Sequence, residues 1–405
     1  MKLGAVADIN PRRISAALND TDDVSFVPMS AVSEVTGTIE AAVAKPFGDV
    51  KKGYTCFSDG DILFAKVSPC MQNGKHAIAW DLINGVGFGS TEFHVIRPGP
   101  LVLAEWIHYF LRRQDTLQAA IKTFNGAVGL QRVPSDFLES LEIPVPSLDV
   151  QRNQVDLLRR QLAAVEEARQ AAQAQVKDAD ALKAALYRCA FQGVVPVALP
   201  LDLEDAPAGW CWTKLADLAR LESGHTPSRA RPDWWGGDIS WLSLTEIRAL
   251  DGQWVKSTEI RTNEAGIANS SARILPRGTV CFSRTASVGF VALMAEPMAT
   301  SQDFANWVCG DDLDPEFLMY ALIRARTELR ALATGATHKT IYMPMLGSFH
   351  LCLPDRATQG AIVRALKAQL AAAEEARQAA QAQLDEIKRL PGRLLAQAFD
   401  SNHPQ

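Results

Sequence analysis

Two stretches of the chain are nearly identical: QLAAVEEARQAAQAQ at residues 161–175 and QLAAAEEARQAAQAQ at residues 369–383. They differ at one position in fifteen, and the second lies 208 residues after the first. At the same shift, Gln151 matches Gln359. The chain is therefore an internal duplication, and each half ends in a long helix of the same length and phase.

Both repeated segments have apolar residues at three-and-four spacing, which is typical of helices that pack together in a coiled coil. The predicted residues of the helix-pair seam are Leu158, Leu162, Val165, Ala172, Val176, Leu366, Leu370, Ala373, Ala380 and Leu384. Arg169 and Arg377 interrupt the seam at the same phase. Two interpretations stay open for them: polar residues that fix the register of the helices, or arginines that extend to solvent from a loosely packed layer.

Length and charge restrict the function. With 405 residues the chain is too long for one core and suits two domains. The net charge of −5 is unusual for a nucleic-acid binder. Each helical segment has seven basic against five acidic residues, so the rest of the chain is acidic. DNA binding would need positive charge gathered on one face of each domain, or supplied by partner subunits.

Signatures of catalysis and metal binding are missing from the sequence. The glycine-rich run at residues 84–90 is followed by a strand-like segment instead of a helix, unlike a nucleotide-binding loop. Methyltransferase, P-loop and hydrolase-elbow motifs are absent, so we predict no catalytic residues in this chain. The seven cysteines form no C-x-x-C pair, so no metal site is predicted. Without a leader or an apolar span, we expect a cytoplasmic protein.

Further motifs point to a known family. In chain order they are IPVP (143–146), AFQG (190–193), PAGWCWTKL (207–215), SGHTPS (223–228) and WGGDISWL (235–242). In this order, and together with the repeated helices, they make the chain resemble the specificity subunit of a Type I restriction-modification enzyme over essentially its full length.

The resemblance implies an α+β fold. Two mixed α/β target-recognition domains are separated by two long repeated helices, which pack as an antiparallel coiled coil with pseudo-twofold symmetry. The expected segments are a first recognition domain (1–146), a helical spacer (147–193), an exposed linker (194–206), a second recognition domain (207–354) and a second helical spacer (355–400). Each spacer of about 40 residues is then about 60 Å long.

The resemblance also implies function and partners. The chain is expected to recognise a bipartite target in double-stranded DNA, with one half-site per recognition domain and a spacing set by the helices. Two modification subunits, which are methyltransferases, are expected to dock on the helices, and restriction subunits with motor and endonuclease activity are further partners. S-adenosylmethionine, ATP and Mg are expected on those partners and not on this chain, and no membrane is involved.

Polar and cationic loop residues are the predicted DNA contacts, because base edges are read by such side chains on loops held by a rigid core. In the first domain they are Lys66, Ser68, Gln72, Asn73, Lys75, Gln131 and Arg132. In the second domain they are Arg229, Arg231, Ser283, Arg284, Thr285, Ser287, His338 and Lys339. The alternative for each is a solvated loop or a turn-forming side chain.

Two other functions stay open at this point. One is a specificity subunit that serves a modification-only system or a methyltransferase fused to its nuclease. The other is a coiled-coil scaffold with two protein-binding heads and no DNA contact, which the acidic net charge favours.

Overall fold

The structure, a computed structural model, describes residues 1–11, 18–127, 131–335 and 339–400. It divides into two compact units: unit 1 combines Met1–Gln173 with Ala382–Gln405, and unit 2 is Ala174–Gln381. Each unit contains one globular part and a section of both long helices. The boundaries that we predicted for the recognition domains follow a different division and remain predictions.

Unit 1 is built on two four-stranded sheets. Its strands are β1 (Ala7–Ile9), β2 (Asp23–Val27), β3 (Val43–Pro46), β4 (Thr55–Ser58), β5 (Ile62–Ala65), β6 (His76–Ile78), β7 (Val86–Gly89) and β8 (Phe93–Pro98). Its helices are α1 (Phe47–Val50), α2 (Ala104–Leu111), α3 (Gln114–Ile121), α4 (Ser135–Ser140) and the first part of α5 (Leu148–Ala190). The strand orders are β1-β8-β5-β6 and β3-β2-β7-β4, and β2 pairs with β7 in parallel.

Unit 2 has three sheets. Its strands are β9 (Val197–Ala198), β10 (Cys211–Lys214), β11 (Ala219–Ser223), β12 (Trp235–Leu242), β13 (Trp254–Val255), β14 (Arg261–Thr262), β15 (Val280–Ser283), β16 (Val291–Met294), β17 (Ala299–Thr300), β18 (Phe304–Cys309) and β19 (His350–Leu353). Its short helices are α6 (Leu215–Leu218), α7 (Leu244–Ile247), α8 (Glu264–Ala268), α9 (Pro315–Arg324), α10 (Arg326–Ala331) and α11 (Met343–Leu346). Unit 2 also contains the last part of α5 and the first part of α12 (Arg356–Phe399). The strand orders are β10-β19-β9, β11-β18-β15-β16-β13 and β14-β12-β17.

The duplication extends to the sheets. The order β1-β8-β5-β6 in unit 1 corresponds to β11-β18-β15-β16 in unit 2, and neighbouring strands are antiparallel in both. The strands β5 and β15 are buried along their whole length. Such near-continuous apolar runs suit a strand covered on both faces. The predicted mixed α/β domains are confirmed.

The glycine-rich run at residues 84–90 has a packing role. It includes β7, which lies between β2 and β4. A Cβ on Gly87 would lie 2.1 Å from the Phe57 ring, and a Cβ on Gly89 would lie 2.4 Å from the Val27 carbonyl oxygen. Only glycine therefore lets Phe57 and the neighbouring strand come this close.

A buried glutamine joins the start of each long helix to the globular part before it. In unit 1, the Gln151 amide accepts a hydrogen bond from the Leu103 N–H at 2.9 Å and donates to the Leu101 and Pro146 carbonyls at 3.0 and 2.9 Å. In unit 2, the Gln359 amide accepts from the Asp314 N–H at 2.9 Å and donates to two carbonyls, both at 3.0 Å. Both side chains are fully buried, and their polar groups are satisfied by the backbone.

A phenylalanine joins the end of each long helix to the other globular part. In unit 1, the ring of Phe399, from the end of α12, packs against Trp106 and Phe110, with centroids 4.4 and 5.3 Å apart. In unit 2, the ring of Phe191, next after α5, lies 5.3 Å from Phe317. Each globular part thus holds the start of one long helix and the end of the other.

The two helices pack in opposite directions within each unit. In unit 1, Leu158 near the start of α5 shares a core with Leu395 near the end of α12. In unit 2, Leu186 near the end of α5 packs on the core that contains Leu366 near the start of α12. The predicted antiparallel packing is confirmed. Of the predicted seam residues, the buried ones are Leu158, Ala172, Leu366, Ala373 and Leu384, and the half-buried ones are Leu162, Val165, Val176, Leu370 and Ala380.

The arginines that interrupt the seam form ion pairs on their own helices. Arg169 binds Glu166 at 2.7 Å, and Arg377 binds Glu374 at 2.8 Å. Glu374 also accepts a hydrogen bond from Lys183 of the other helix. Arg377, followed by Lys183, lowers the pKa of Glu374 to about 2. Arg169 and Arg377 are half-buried, with 26% and 31% of their side chains exposed, so both interpretations of these arginines stay predictions.

The predicted exposed linker is only partly exposed, and this part of the prediction is wrong. Val197 is 1% exposed, and its strand β9 pairs with β19. The cause is the apolar run around Val194 and Val197, which packs into the core of unit 2. Leu201 is 97% exposed, so the later part of the segment fits a free connection.

Candidate nucleic-acid interface

In unit 1 the two predicted reading loops lie side by side. The Lys66 N–H donates to the Glu92 carbonyl at 2.9 Å, and the Lys66 carbonyl accepts from the Val133 N–H at 2.9 Å. Val67 forms a β-bridge with Arg132, which also forms a β-bridge with Asn125. Backbone hydrogen bonds therefore bring the segment after β5 and the segment before α4 together as one rim, here called rim 1 and comprising residues 66–76, 125–127, 131 and 132.

Two cations of rim 1 are bound within the protein. Arg132 donates from Nε and Nη2 to the two carboxylate oxygens of Glu92, both at 2.8 Å. This contact lowers the pKa of Glu92 below its ordinary value. The Lys75 ammonium donates to the Val32 carbonyl at 3.0 Å. Lys75 thus fixes the position of the loop, whereas Arg132 remains exposed at the surface.

The tip of rim 1 presents amide side chains. Gln72 and Asn73 are exposed at a turn that the Asn73 N–H closes on the Pro69 carbonyl at 3.1 Å. The Ser68 N–H donates to the Gln131 carbonyl at 2.9 Å, so these half-buried residues connect the two segments. Amide groups at such a tip can donate and accept hydrogen bonds simultaneously, as reading of adenine requires.

Arg112 holds this turn in place, and the sequence analysis missed it. Its Nη1 donates to the Gly74 carbonyl at 2.8 Å, and its Nη2 donates to the Glu34 and Val35 carbonyls at 3.2 and 3.0 Å. Burial lowers the pKa of Arg112 to about 10. Arg112 directly follows the last residue of α2, and nothing in the sequence pattern distinguishes it from a solvated arginine.

Unit 2 has the same arrangement of backbone bonds. The Arg284 N–H donates to the Asp303 carbonyl at 2.8 Å, and the Arg284 carbonyl accepts from the Ile341 N–H at 2.9 Å. Thr285 forms a β-bridge with Thr340, which also pairs with Thr334. We call these segments, residues 283–287, 334, 335 and 339–341, rim 2. Its described part repeats the construction of rim 1 with different side chains.

Some predicted contacts in rim 2 have structural roles. Ser283 is fully buried; its hydroxyl donates to the Ser287 carbonyl and accepts from the Phe290 N–H at 2.9 Å. This burial removes Ser283 from the candidate DNA contacts. Arg284 donates to the Gln302 carbonyl at 2.7 Å, and burial lowers its pKa.

Other members of rim 2 remain accessible. Lys339 is exposed, and its carbonyl accepts from the Ala286 N–H at 2.9 Å. The Thr285 side chain is half-buried, and the Ser287 hydroxyl bonds Arg248 at 3.3 Å. Tyr342, which the sequence analysis missed, is 58% exposed beside this rim. His338 lies outside the described residues.

A third loop of unit 2 joins rim 2. Thr226 hydrogen-bonds Gln302, the residue that also binds Arg284. In this loop, the Arg229 guanidinium lies 4.2 Å from the centroid of Trp235, a cation–π contact that leaves it exposed. Arg231 binds both oxygens of Asp233, at 2.9 and 2.7 Å, so its charge is compensated.

Chemically, both rims suit binding rather than catalysis. They combine amides, hydroxyls and guanidinium groups on loops beside a rigid sheet, which is how proteins contact base edges and phosphates. In the described ranges, no group of three or more His, Cys, Asp or Glu side chains is placed to hold a metal ion. Among the helices described, none is both long and apolar enough to cross a membrane.

Comparisons with known proteins agree on one family. The family model for the Type I restriction modification DNA specificity domain matches residues 1–177 and 207–384. The EcoAI specificity subunit of Escherichia coli is 38% identical over 151 residues, which are 37% of this chain and 25% of that protein. The HindI specificity subunit of Haemophilus influenzae is 23% identical over 354 residues, which are 72% and 75% of the two chains. The chain thus matches about a quarter of the length of EcoAI and of the similar EcoEI subunit, of which 24% is covered.

Solved structures share the fold. A chain from a study of complex assembly and conformational transition of the type I R-M system aligns over 100% of this chain and 97% of its own, with a TM-score of 0.77 and 21% identity. The HsdS subunit from Thermoanaerobacter tengcongensis aligns over 100% and 96%, with a TM-score of 0.64 and 20% identity. With two matched specificity domains and this fold, the chain belongs to the family of Type I restriction modification DNA specificity subunits.

Proposed function

We propose that this chain is the non-catalytic DNA-recognition subunit of a Type I restriction-modification complex and that it reads a bipartite target. Rim 1 would contact one half-site and rim 2 the other. The observation that carries the proposal is the repeated rim: Lys66 and Arg284 hold the same backbone position, yet the side chains around them differ. A shared frame with different side chains suits the reading of two different short sequences.

The near-identical helices support two further parts of the proposal. Two copies of one modification subunit need two equivalent docking surfaces, and residues 161–175 and 369–383 supply nearly identical sequence. Two antiparallel helices of fixed length would set the spacing between the half-sites. The partners would supply S-adenosylmethionine-dependent adenine methylation with base flipping. Restriction subunits would add ATP- and Mg-dependent motor and endonuclease activity, all in the cytoplasm.

The test is a map of methylated adenines in the genome of a methylation-deficient bacterium. The bacterium would carry this chain with the modification subunit encoded beside it. We expect two short specific sequences separated by a fixed number of unread bases, and no such methylation with either protein alone. Methylation of one continuous sequence would refute the bipartite target, and a complex that binds no DNA would favour a scaffold. Cleavage of unmodified DNA after adding a restriction subunit separates the full system from a modification-only one.

A further inference from the structure

Three arginines of unit 2 surround one aromatic ring. The guanidinium carbons of Arg248, Arg326 and Arg330 lie 5.7, 5.4 and 5.3 Å from the centroid of Phe290. Each cation is attracted to the ring face. The three like charges also repel one another, and an anion among them offsets this repulsion. The cluster, here called the Phe290 arginine cluster, therefore favours an added anion.

One carboxylate compensates one of these charges. Asp251 accepts two hydrogen bonds from Arg326 Nη2, at 2.7 and 2.8 Å. Arg330 Nε donates to the Val288 carbonyl at 2.8 Å, and Arg248 donates to the Ser287 hydroxyl at 3.3 Å. Those two acceptors are uncharged, so they leave the net charge of Arg330 and Arg248 in place.

The electrostatics of the cluster agree with an excess of positive charge. The pKa of Arg330 lies below its usual range, first because of burial and then because Arg326 and Arg248 repel its charge, which Asp251 opposes in part. Glu328 lies on the same short helix as Arg330, α10, but it pairs with Arg324 at the end of α9, at 3.5 Å and outside the cluster. Arg248 and Arg330 are exposed, so an anion can reach both.

The backbone at the cluster is shaped for close approach. Gly289 has φ of +96°, and a Cβ there would lie 3.0 Å from Arg326 Cγ and 3.2 Å from Arg330 Nε. Glycine at this position thus admits both arginines against the turn. The turn leads directly from rim 2, and the Arg248–Ser287 hydrogen bond places the cluster at the edge of that rim.

We propose that Arg248 and Arg330, with Arg326 behind them, bind a phosphate of the DNA backbone beside the half-site of rim 2. This inference rests on the proposed DNA-reading function. Guanidinium forks match phosphate oxygens in geometry and charge. Such a contact positions the duplex without reading its sequence. It is also one-sided, because α10 carries two arginines in RTELRA, whereas the corresponding α3 of unit 1, QDTLQAAI, carries none.

The test measures DNA affinity against salt for the full chain assembled with its modification subunit. Two duplexes are used, one with the mapped target and one of unrelated sequence. The double variant Arg248→Gln with Arg330→Gln should reduce the slope of log affinity against log salt by about 0.9, and each single variant should account for part of that loss. Affinity for both duplexes should fall by the same factor. Arg248→Lys and Arg330→Lys keep the charge and should keep most of the slope.

Arg277→Gln is the matched control. It removes one exposed arginine of the same unit, which lies before β15, at the opposite end of that strand from Ser283. Its slope should equal that of the wild type. If the wild-type complex binds its target and both glutamine variants keep the wild-type slope, the phosphate site is refuted while the proposed function stands. If the wild-type complex binds neither duplex, the proposed function fails and this inference fails with it.

Discussion

Rim 1 and rim 2 have the same backbone hydrogen bonds but different chemistry. In rim 1 the Glu92 carboxylate neutralises Arg132, whereas in rim 2 the residue at the position of Arg132 is Thr340, and Arg284 binds a carbonyl. By contrast, the anchors of the long helices are chemically the same in both units, with Gln151 and Gln359 making the same three bonds. The duplication has therefore kept the buried residues that anchor the long helices, here called the joints, and replaced the exposed side chains of the two rims.

The largest expected effect comes from lengthening the two long helices without altering the rims. We would insert a heptad after Gln173 and a second after Gln381, which keeps the phase of the seam. Seven helical residues add about 10 Å, or about three base pairs of duplex. Methylation at the original sites should vanish and reappear at the same half-sites with a spacer about three base pairs longer.

The control for this insertion is a seven-residue insertion after Leu201, which is 97% exposed. It should leave the methylation map unchanged, because that position lies outside the helix pair. An unchanged spacer in the helix-insertion protein would contradict the proposed role of the helices.

The next largest effect concerns the aromatic joints. Phe191 is fully buried, so Phe191→Ala should destabilise unit 2 by about 3–5 kcal/mol. Phe399 is 8% exposed and ends its helix, so Phe399→Ala should destabilise unit 1 at the lower end of that range. Hydrogen–deuterium exchange resolved by peptide measures each unit separately. Leu201→Ala serves as the exposed control, and a loss no larger than in this control would show that the joints are dispensable.

The glutamine joints should give a smaller and equal loss in the two units. Gln151→Ala leaves the Leu103 N–H and two carbonyls without their partner, at about 2–3 kcal/mol after water enters. Gln359→Ala removes an equivalent set of bonds and should match it. Gln170→Ala, on the exposed face of α5, is the comparison in the same exchange experiment. Losses that differ widely between the two units would mean that the joints are not equivalent.

The smallest effect tests the difference between the rims. Arg132 lowers the pKa of Glu92 below its ordinary 4.5, so their contact stabilises the folded state above that pH. The stabilisation is lost as the pH falls through the lowered pKa. Arg132→Gln should thus weaken unit 1 slightly at pH 7 and progressively less as the pH falls below 4.5, as followed by urea unfolding. Thr340→Ala, at the matching position, should show no such pH dependence; a pH-independent Arg132→Gln effect would be inconsistent with the pair.

Much of the fold could be predicted from the repeats. The period of 208 residues and the apolar seam predicted the two long helices. The burial of Ser283 could not be predicted, because a serine at a strand end looks the same whether it closes a turn or faces solvent. The Phe290 arginine cluster was missed because Arg248 and Phe290 lie far in sequence from the two arginines of α10, and they meet only in the folded chain.

The most direct test of two independent tips is a methylation map of two variants, each produced with the modification subunit. The double variant Gln72→Ala with Asn73→Ala changes rim 1, and Thr285→Ala with Lys339→Ala changes rim 2. Our account predicts that each variant relaxes or alters one half-site, by about 1–3 kcal/mol per base. The other half-site and the spacer should stay the same. Variants that alter both half-sites together, or that both alter the same one, would contradict it.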